Sequence, residues 1–144
     1  MIRVEEPMTL NLQELQASLD NSPFHQMFKM SVFEANFEAQ RLSIRQHFTS
    51  TVERLAGTKQ YHGGAIASLI DITGDYALFY VLGFGVATIN FRVDYLRPAI
   101  DTDLLAVAKV RRAGKTVGVV DIDVTDNCLR LVAVGRGCYS TRAG

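Results

Sequence analysis

Cysteine is scarce in this chain: Cys128 and Cys138 are the only two in 144 residues. They lack paired-ligand spacing, and a chain of this size builds its core without a disulfide. A reducing cytoplasm is the expected setting. Charge excess is also missing, because Lys plus Arg equals Asp plus Glu at 15 each. That balance excludes broad electrostatic attraction to nucleic acid or to an anionic membrane, though not a small basic patch. The opening stretch MIRVEEPMTL has no charged-then-apolar layout of a secretion signal. The longest apolar run, around Tyr76 to Ile89, is interrupted by Gly83 and Gly85 and is too short to span a bilayer. His25, His47 and His62 have no metal-ligand spacing, so no metal is expected. Ser68 has no nucleophile-elbow context for a serine triad.

What remains is the composition of one globular domain, 48% hydrophobic and 21% charged. It is expected to span 1–144, with 1–28 as an N-terminal helical segment. Thr9 to Leu19 carries Leu12, Leu15 and Leu19 on one side of a short helix. Ser22 as cap and Pro23 at the first helical position predict a second helical turn. The period then changes to two. Phe33, Ala35 and Phe37, then Leu42, Ile44 and Phe48, predict a hairpin turning near Ala39 to Arg41. Thr49 to Tyr61 reads as a polar connection. A long helix is predicted from Gly63 to Leu82, with Ile66, Ile70, Thr73, Ala77 and Tyr80 in one stripe, widened by Leu69 and Val81. Gly83 ends it. Four strands follow: Ala87 to Leu96, Asp103 to Ala113, Thr116 to Thr125 and Leu129 to Tyr139. The turns RAGK and TDNC predict an antiparallel meander for these last strands. One nearly all-apolar helix with five or six strands implies an α+β fold in which a curved antiparallel sheet wraps the helix.

The long helix has two odd features. Gly63 and Gly64 stand at its start, where glycine weakens a helix, and Asp71 and Asp75 sit inside its apolar pattern. HGGAIASLIDITGDYA, followed by VATINFRVDYLRPA and RRAGKTVGVVDIDV, resembles the hotdog-fold acyl-CoA thioesterases of the phenylacetate-degradation (PaaI-like) branch. The likeness runs from about Pro23 to Arg142. It implies a homodimer, or a homotetramer built from dimers, that hydrolyses CoA thioesters without metal or cofactor; CoA enters as part of the substrate. By the same resemblance, the His-Gly pair at the helix start corresponds to His62 and Gly63. The catalytic acid nine positions later corresponds to Asp71, and the hydroxyl residue ten before the RPA proline to Thr88. One position departs from the pattern: many members carry Asn or Gln six before the motif histidine, where this chain has Ala56, with Gln60 nearby but out of register.

The residue chemistry stands beside that resemblance. Free amides at a helix N-terminus can stabilise the oxyanion that forms when a thioester is attacked, and glycine lets the carbonyl come close; alternatively, the two glycines only make a tight turn. His62 can position the thioester or cap the helix. Asp71 can attack directly or activate water. Asp75, one turn later on the same side, can line the acyl pocket, bond a partner subunit or reach solvent. If both acids ionise, each raises the other's pKa. Gly74 between them implies close backbone approach to a neighbour or an acyl chain. Thr88 can hold the attacking water, or reflect β-propensity alone. Arg97, Arg111, Arg112, Lys115 and Arg136 are candidates for the CoA phosphates, with Arg111, Arg112 and Lys115 grouped around one turn. A non-catalytic acyl-CoA-binding protein is the alternative reading, and a hydratase on the same fold a weaker one.

Distance adds one constraint. Gly63 and Asp71 are eight residues apart, roughly 12 Å along a helix, whereas reacting groups must meet one carbonyl at about 3 Å. One helix does not satisfy both. Two antiparallel copies do, with their midpoint at Ala67 and with Ala65 and Ser68 as small neighbours.

Overall fold

The structure is a computed structural model and describes residues 9–143, so the expected domain's ends, 1–8 and 144, lie outside the described residues. The N-terminal helix α1 spans Leu12–Asn21. Asn11 caps it by accepting the Glu14 amide proton at 2.8 Å, which satisfies one of the free donors of the first turn. Leu15 and Leu19 face the core, but Leu12 is exposed. The next turn, Phe24–Met27, is 3-10 rather than α. Ser22 does not cap it through its hydroxyl; the Ser22 carbonyl instead accepts from the His25 amide.

Strands β1 (Lys29–Asn36) and β2 (Arg41–His47) form the first hairpin. A second 3-10 turn, Ser50–Val52, interrupts the polar connection. Helix α2 then runs Gly63–Leu82, as its period predicts. Gly83 closes it in the left-handed region at φ 82°, donating its amide to the Phe79 carbonyl, a conformation in which glycine avoids a Cβ clash. By length and composition α2 could cross a membrane. Here Ile66, Leu69, Ile70, Ala77 and Leu78 are buried in the core. Each such large aliphatic side chain contributes about 1.5–3 kcal/mol by leaving water.

The remaining strands are β3 (Ala87–Tyr95), β4 (Leu104–Ala113), β5 (Val117–Thr125) and β6 (Leu131–Ser140). One antiparallel sheet has the order β1-β2-β4-β5-β6-β3. β4, β5 and β6 make the predicted meander. β3 pairs with β6 at the far edge. The reason lies in the connections. Short turns join β4 to β5 and β5 to β6, while eight residues including Pro98 separate β3 from β4 and let the chain cross two strands. The inward side chains of β4 and β5 alternate strictly: Leu104, Ala106, Ala108 and Val110, then Val120, Ile122 and Val124. They pack on α2, and the hotdog architecture follows.

Two places on this scaffold stay open. On α2 the less buried stripe is Gly64, Ala67, Ser68, Asp71, Asp75 and Phe79, at helical spacing along one face. Ala65, read from sequence as part of that small-residue contact, is turned into the core instead. On the sheet, β3 is exposed nearly throughout, including Ile89, Phe91 and Tyr95, and its outer edge pairs with no other strand among the described residues.

Candidate functional site

The open stripe of α2 carries the chemistry. Asp71 projects from mid-helix toward the start of β3, where Thr88 donates its hydroxyl proton to Asp71 Oδ1 at 2.7 Å. The register shift between Thr88 and Asn90 in the β3–β6 pairing falls beside this contact; such irregularities often re-aim a side chain. Tyr139 on β6 fixes the helix from behind, donating to the Asp71 backbone carbonyl at 3.1 Å. Burial and the two nearby carboxylates hold the Tyr139 phenol well above its ordinary pKa, so it remains a neutral donor.

Gly74 accommodates that tyrosine. A Cβ at Gly74 would overlap the Tyr139 hydroxyl and stand 3.0 Å from its Cζ. The neighbour implied by the sequence is therefore an aromatic side chain of the chain's own sheet. Gly74→Ala is expected to lower stability by about 1–3 kcal/mol, the usual cost of overpacking. Urea denaturation should show most of that loss disappearing in a Tyr139→Phe background; an equal loss in both backgrounds would rule out the hydroxyl as the obstacle.

Asp71 lines a cleft of about 400 Å³ together with Ser22, Phe24, His25, Asp75, Tyr76 and Phe91. No motif or periodicity marks residues 22–25 as neighbours of this cleft. They reach it because Ser18 and Tyr76 hydrogen-bond at 3.1 Å and dock α1 beside α2. Asp75 lies in the same cleft, and its pKa is raised to about 7, first by burial and then by the charge of Asp71. The consequence for stability has a definite sign. An acid whose pKa rises from 3.8 to about 7 on folding stabilises the protein fully below pH 3.8. That contribution is lost progressively as pH rises to about 7. Asp75→Asn should accordingly raise Tm relative to wild type at pH 8 and change it little at pH 4. A Tm difference independent of pH would contradict this assignment.

The helix start faces a second cleft, of about 380 Å³, lined by Arg54, Gln60, Tyr61, Gly63, Tyr95 and Arg97, among others. The two glycines differ here. His62 caps the helix, its Nδ1 accepting the Gly64 amide proton at 2.8 Å. Nδ1 is therefore unprotonated, and the Gly64 donor is engaged. The Gly63 amide has no protein acceptor among the described residues. The Gly63 carbonyl accepts from the Tyr95 hydroxyl at 2.6 Å, which ties the helix start to β3. Gln60 reaches this cleft although it is out of register with the family's amide position.

The basic candidates are distributed unevenly. Arg97 lines the cleft at the helix start. Arg136 makes two hydrogen bonds to Asp121, at 2.6 and 2.9 Å, and Arg111 lies 3.5 Å from the same carboxylate. These guanidinium groups hold the Asp121 carboxyl below its ordinary pKa. Arg112 and Lys115 flank the β4–β5 turn without a carboxylate partner among the described residues.

A six-stranded antiparallel sheet wrapped about one long helix is the hotdog fold. The chain belongs to the thioesterase superfamily, whose family model matches residues 60–133. It is 38% identical to a Halobacterium salinarum protein that carries a provisional esterase name, over 87% of this chain and 88% of that one. It is 37% identical to the acyl-coenzyme A thioesterase PaaI of Escherichia coli, over 62% of this chain and 64% of PaaI. The solved structure of E. coli PaaI superposes with a TM-score of 0.78 at 27% identity, covering 92% of each chain. Thioester hydrolysis is the general chemistry that these relationships support.

Proposed function

We propose that this protein hydrolyses an acyl-CoA thioester to the free acid and CoA, in the cytoplasm, as a homodimer or a homotetramer built from dimers. The observation that carries the reading is the hydrogen-bonded Asp71–Thr88 pair at the mouth of a partly aromatic cleft. The acyl group occupies that cleft, beside Asp75. Asp71 acts on the thioester carbonyl, either directly or through a water that Thr88 helps to place. The Gly63 amide of the partner subunit stabilises the oxyanion. His62 shapes the helix start, Gly64 leaves room for the carbonyl, and Arg97, Arg111, Arg112 and Lys115 meet the CoA phosphates. No metal or cofactor takes part.

Separation of the two half-sites supports the dimer. The clefts at Gly63 and at Asp71 share no lining residue. The open α2 stripe and the bare β3 edge offer a surface on which a second copy can bring them together. The test is thiol release from a panel of acyl-CoAs. Catalytic turnover of at least one member is expected. Saturable binding of acyl-CoA with no CoA release would instead establish the acyl-CoA-binding alternative.

A further inference from the structure

On the sheet face turned away from α2, three residues distant in sequence come together. Ser31 Oγ on β1 lies 3.0 Å from His47 Nε2 at the end of β2. His47 Nδ1 lies 3.6 Å from Oδ2 of Asp103, just before β4. Asp103 is itself anchored, its Oδ1 accepting the Phe48 amide proton at 2.9 Å. The register explains the placement. Lys29 pairs with His47 and Ser31 with Arg45, and the β1 irregularity begins only after Val32. Residues two apart share a face. Lys29, Ser31, Arg45 and His47 therefore stand on one face, while Leu42, Ile44 and Gln46 enter the core from the other.

The chemistry of the three is complementary. A proton on Nδ1 turned toward Asp103 leaves Nε2 free to accept from Ser31. That is the order of roles for nucleophile, base and acid, with the Asp103 carboxylate at ion-pair range of the imidazole, 3.6 Å, rather than in a hydrogen bond to it. Two cations flank the pair: neither Lys29 nor Arg45 has a carboxylate partner among the described residues. They put positive charge on the same sheet face as the Ser31 hydroxyl. The Arg45 guanidinium lies 5.0 Å from the centre of the Phe33 ring, and Phe33 is 53% exposed, an apolar seat beside Arg45, the register partner of Ser31.

We propose that Ser31, His47 and Asp103 form a second hydrolytic site, for short-chain oxygen esters, on the outer face of the sheet. The Ser31 oxygen bonds to the ester carbonyl carbon while its proton passes to His47 Nε2. The bond to the alcohol oxygen then breaks, and the alcohol leaves with that proton. Water attacks the acyl-serine, giving its proton to His47. The acid departs, and Ser31 regains its proton from the histidine. The seat is one open ring rather than a cavity, so it rewards short acyl groups. It lacks an enclosed set of amide donors, which restricts it to esters with good leaving groups. The site lies at the β1–β2 side of the sheet, the opposite edge from β3, and dimerisation through β3 leaves it open.

The test uses diisopropyl fluorophosphate on the intact protein, read by mass and peptide mapping. One adduct on Ser31 is expected, absent in Ser31→Ala and formed at least about 10-fold more slowly in His47→Gln. Asp71→Asn should retain hydrolysis of p-nitrophenyl acetate that the added Ser31→Ala change abolishes. Circular dichroism of each variant reports folding independently of any activity. No adduct, an adduct elsewhere, or ester hydrolysis unaffected by Ser31→Ala would overturn the proposal. None of these readouts depends on acyl-CoA turnover.

Discussion

Asp71→Asn is expected to lower kcat by about 100-fold or more, with KM changed much less, because a positioned base contributes about 10²–10⁴ to rate. The asparagine keeps the size of the side chain and can still accept from Thr88, so the Thr88–Asp71 contact at 2.7 Å survives in outline. What disappears is the capacity to take a proton or to attack. Asp75→Asn is the internal control. It lies in the same cleft, yet its elevated pKa of about 7 leaves it largely protonated in mildly acidic solution, where it is a poor base. Its replacement should cost far less activity than that of Asp71. Steady-state kinetics of both variants decides the ranking. Unchanged turnover in folded Asp71→Asn would remove Asp71 from the mechanism, and equal losses in the two would make the acids a catalytic pair.

Mixing two dead variants is expected to restore activity. Gly63→Val puts methyl groups against the Tyr95 ring, which already stands 3.4 Å from the position of a Cβ, and crowds the free amide. Asp71→Asn removes the acid. Each homodimer then contains two damaged sites. In a mixed dimer both lesions fall in one site, and the other combines intact Gly63 from one chain with intact Asp71 from its partner. Subunit exchange should recover up to about half of wild-type activity per mixed dimer if the sites are independent. Native mass spectrometry must show that mixed dimers formed. Verified mixed dimers without activity would mean that Gly63 and Asp71 act from the same chain, or that one of them takes no part.

Local periodicity made part of this protein legible. The α2 stripe and its closure at Gly83 follow from side chains at 3.6-residue spacing and one glycine, and the structure has both within a residue. The acids on one face and the glycines at the helix start were visible for the same reason. Contacts that depend on strand order were not. Tyr95 reaching Gly63, Tyr139 reaching Asp71, and Ser31 meeting His47 and Asp103 all join residues that only the sheet topology brings together. Strand signals give existence and direction but name no neighbour for β3, and the long 96–103 connection is what lets it pair with β6. Residues 22–25 carry only a helical-turn signal in the sequence; the docking of α1 through Ser18 and Tyr76 makes them a wall of the Asp71 cleft.

The bare edge of β3 has a consequence for the life of a single chain. A newly released polypeptide pairs the four inner strands of its sheet on both sides and caps part of the β1 edge with Gln16, which bonds the Met30 carbonyl and the Val32 amide, but at β3 it carries a row of unpaired backbone groups flanked by Ile89, Phe91 and Tyr95. Such an edge captures whatever extended segment arrives first. Meeting a second folded copy and meeting a misfolded neighbour are competing collisions, and dilution slows the productive one. Specific activity should therefore fall at low protein concentration, and slow assembly should divert chains into aggregates that further folding time does not rescue.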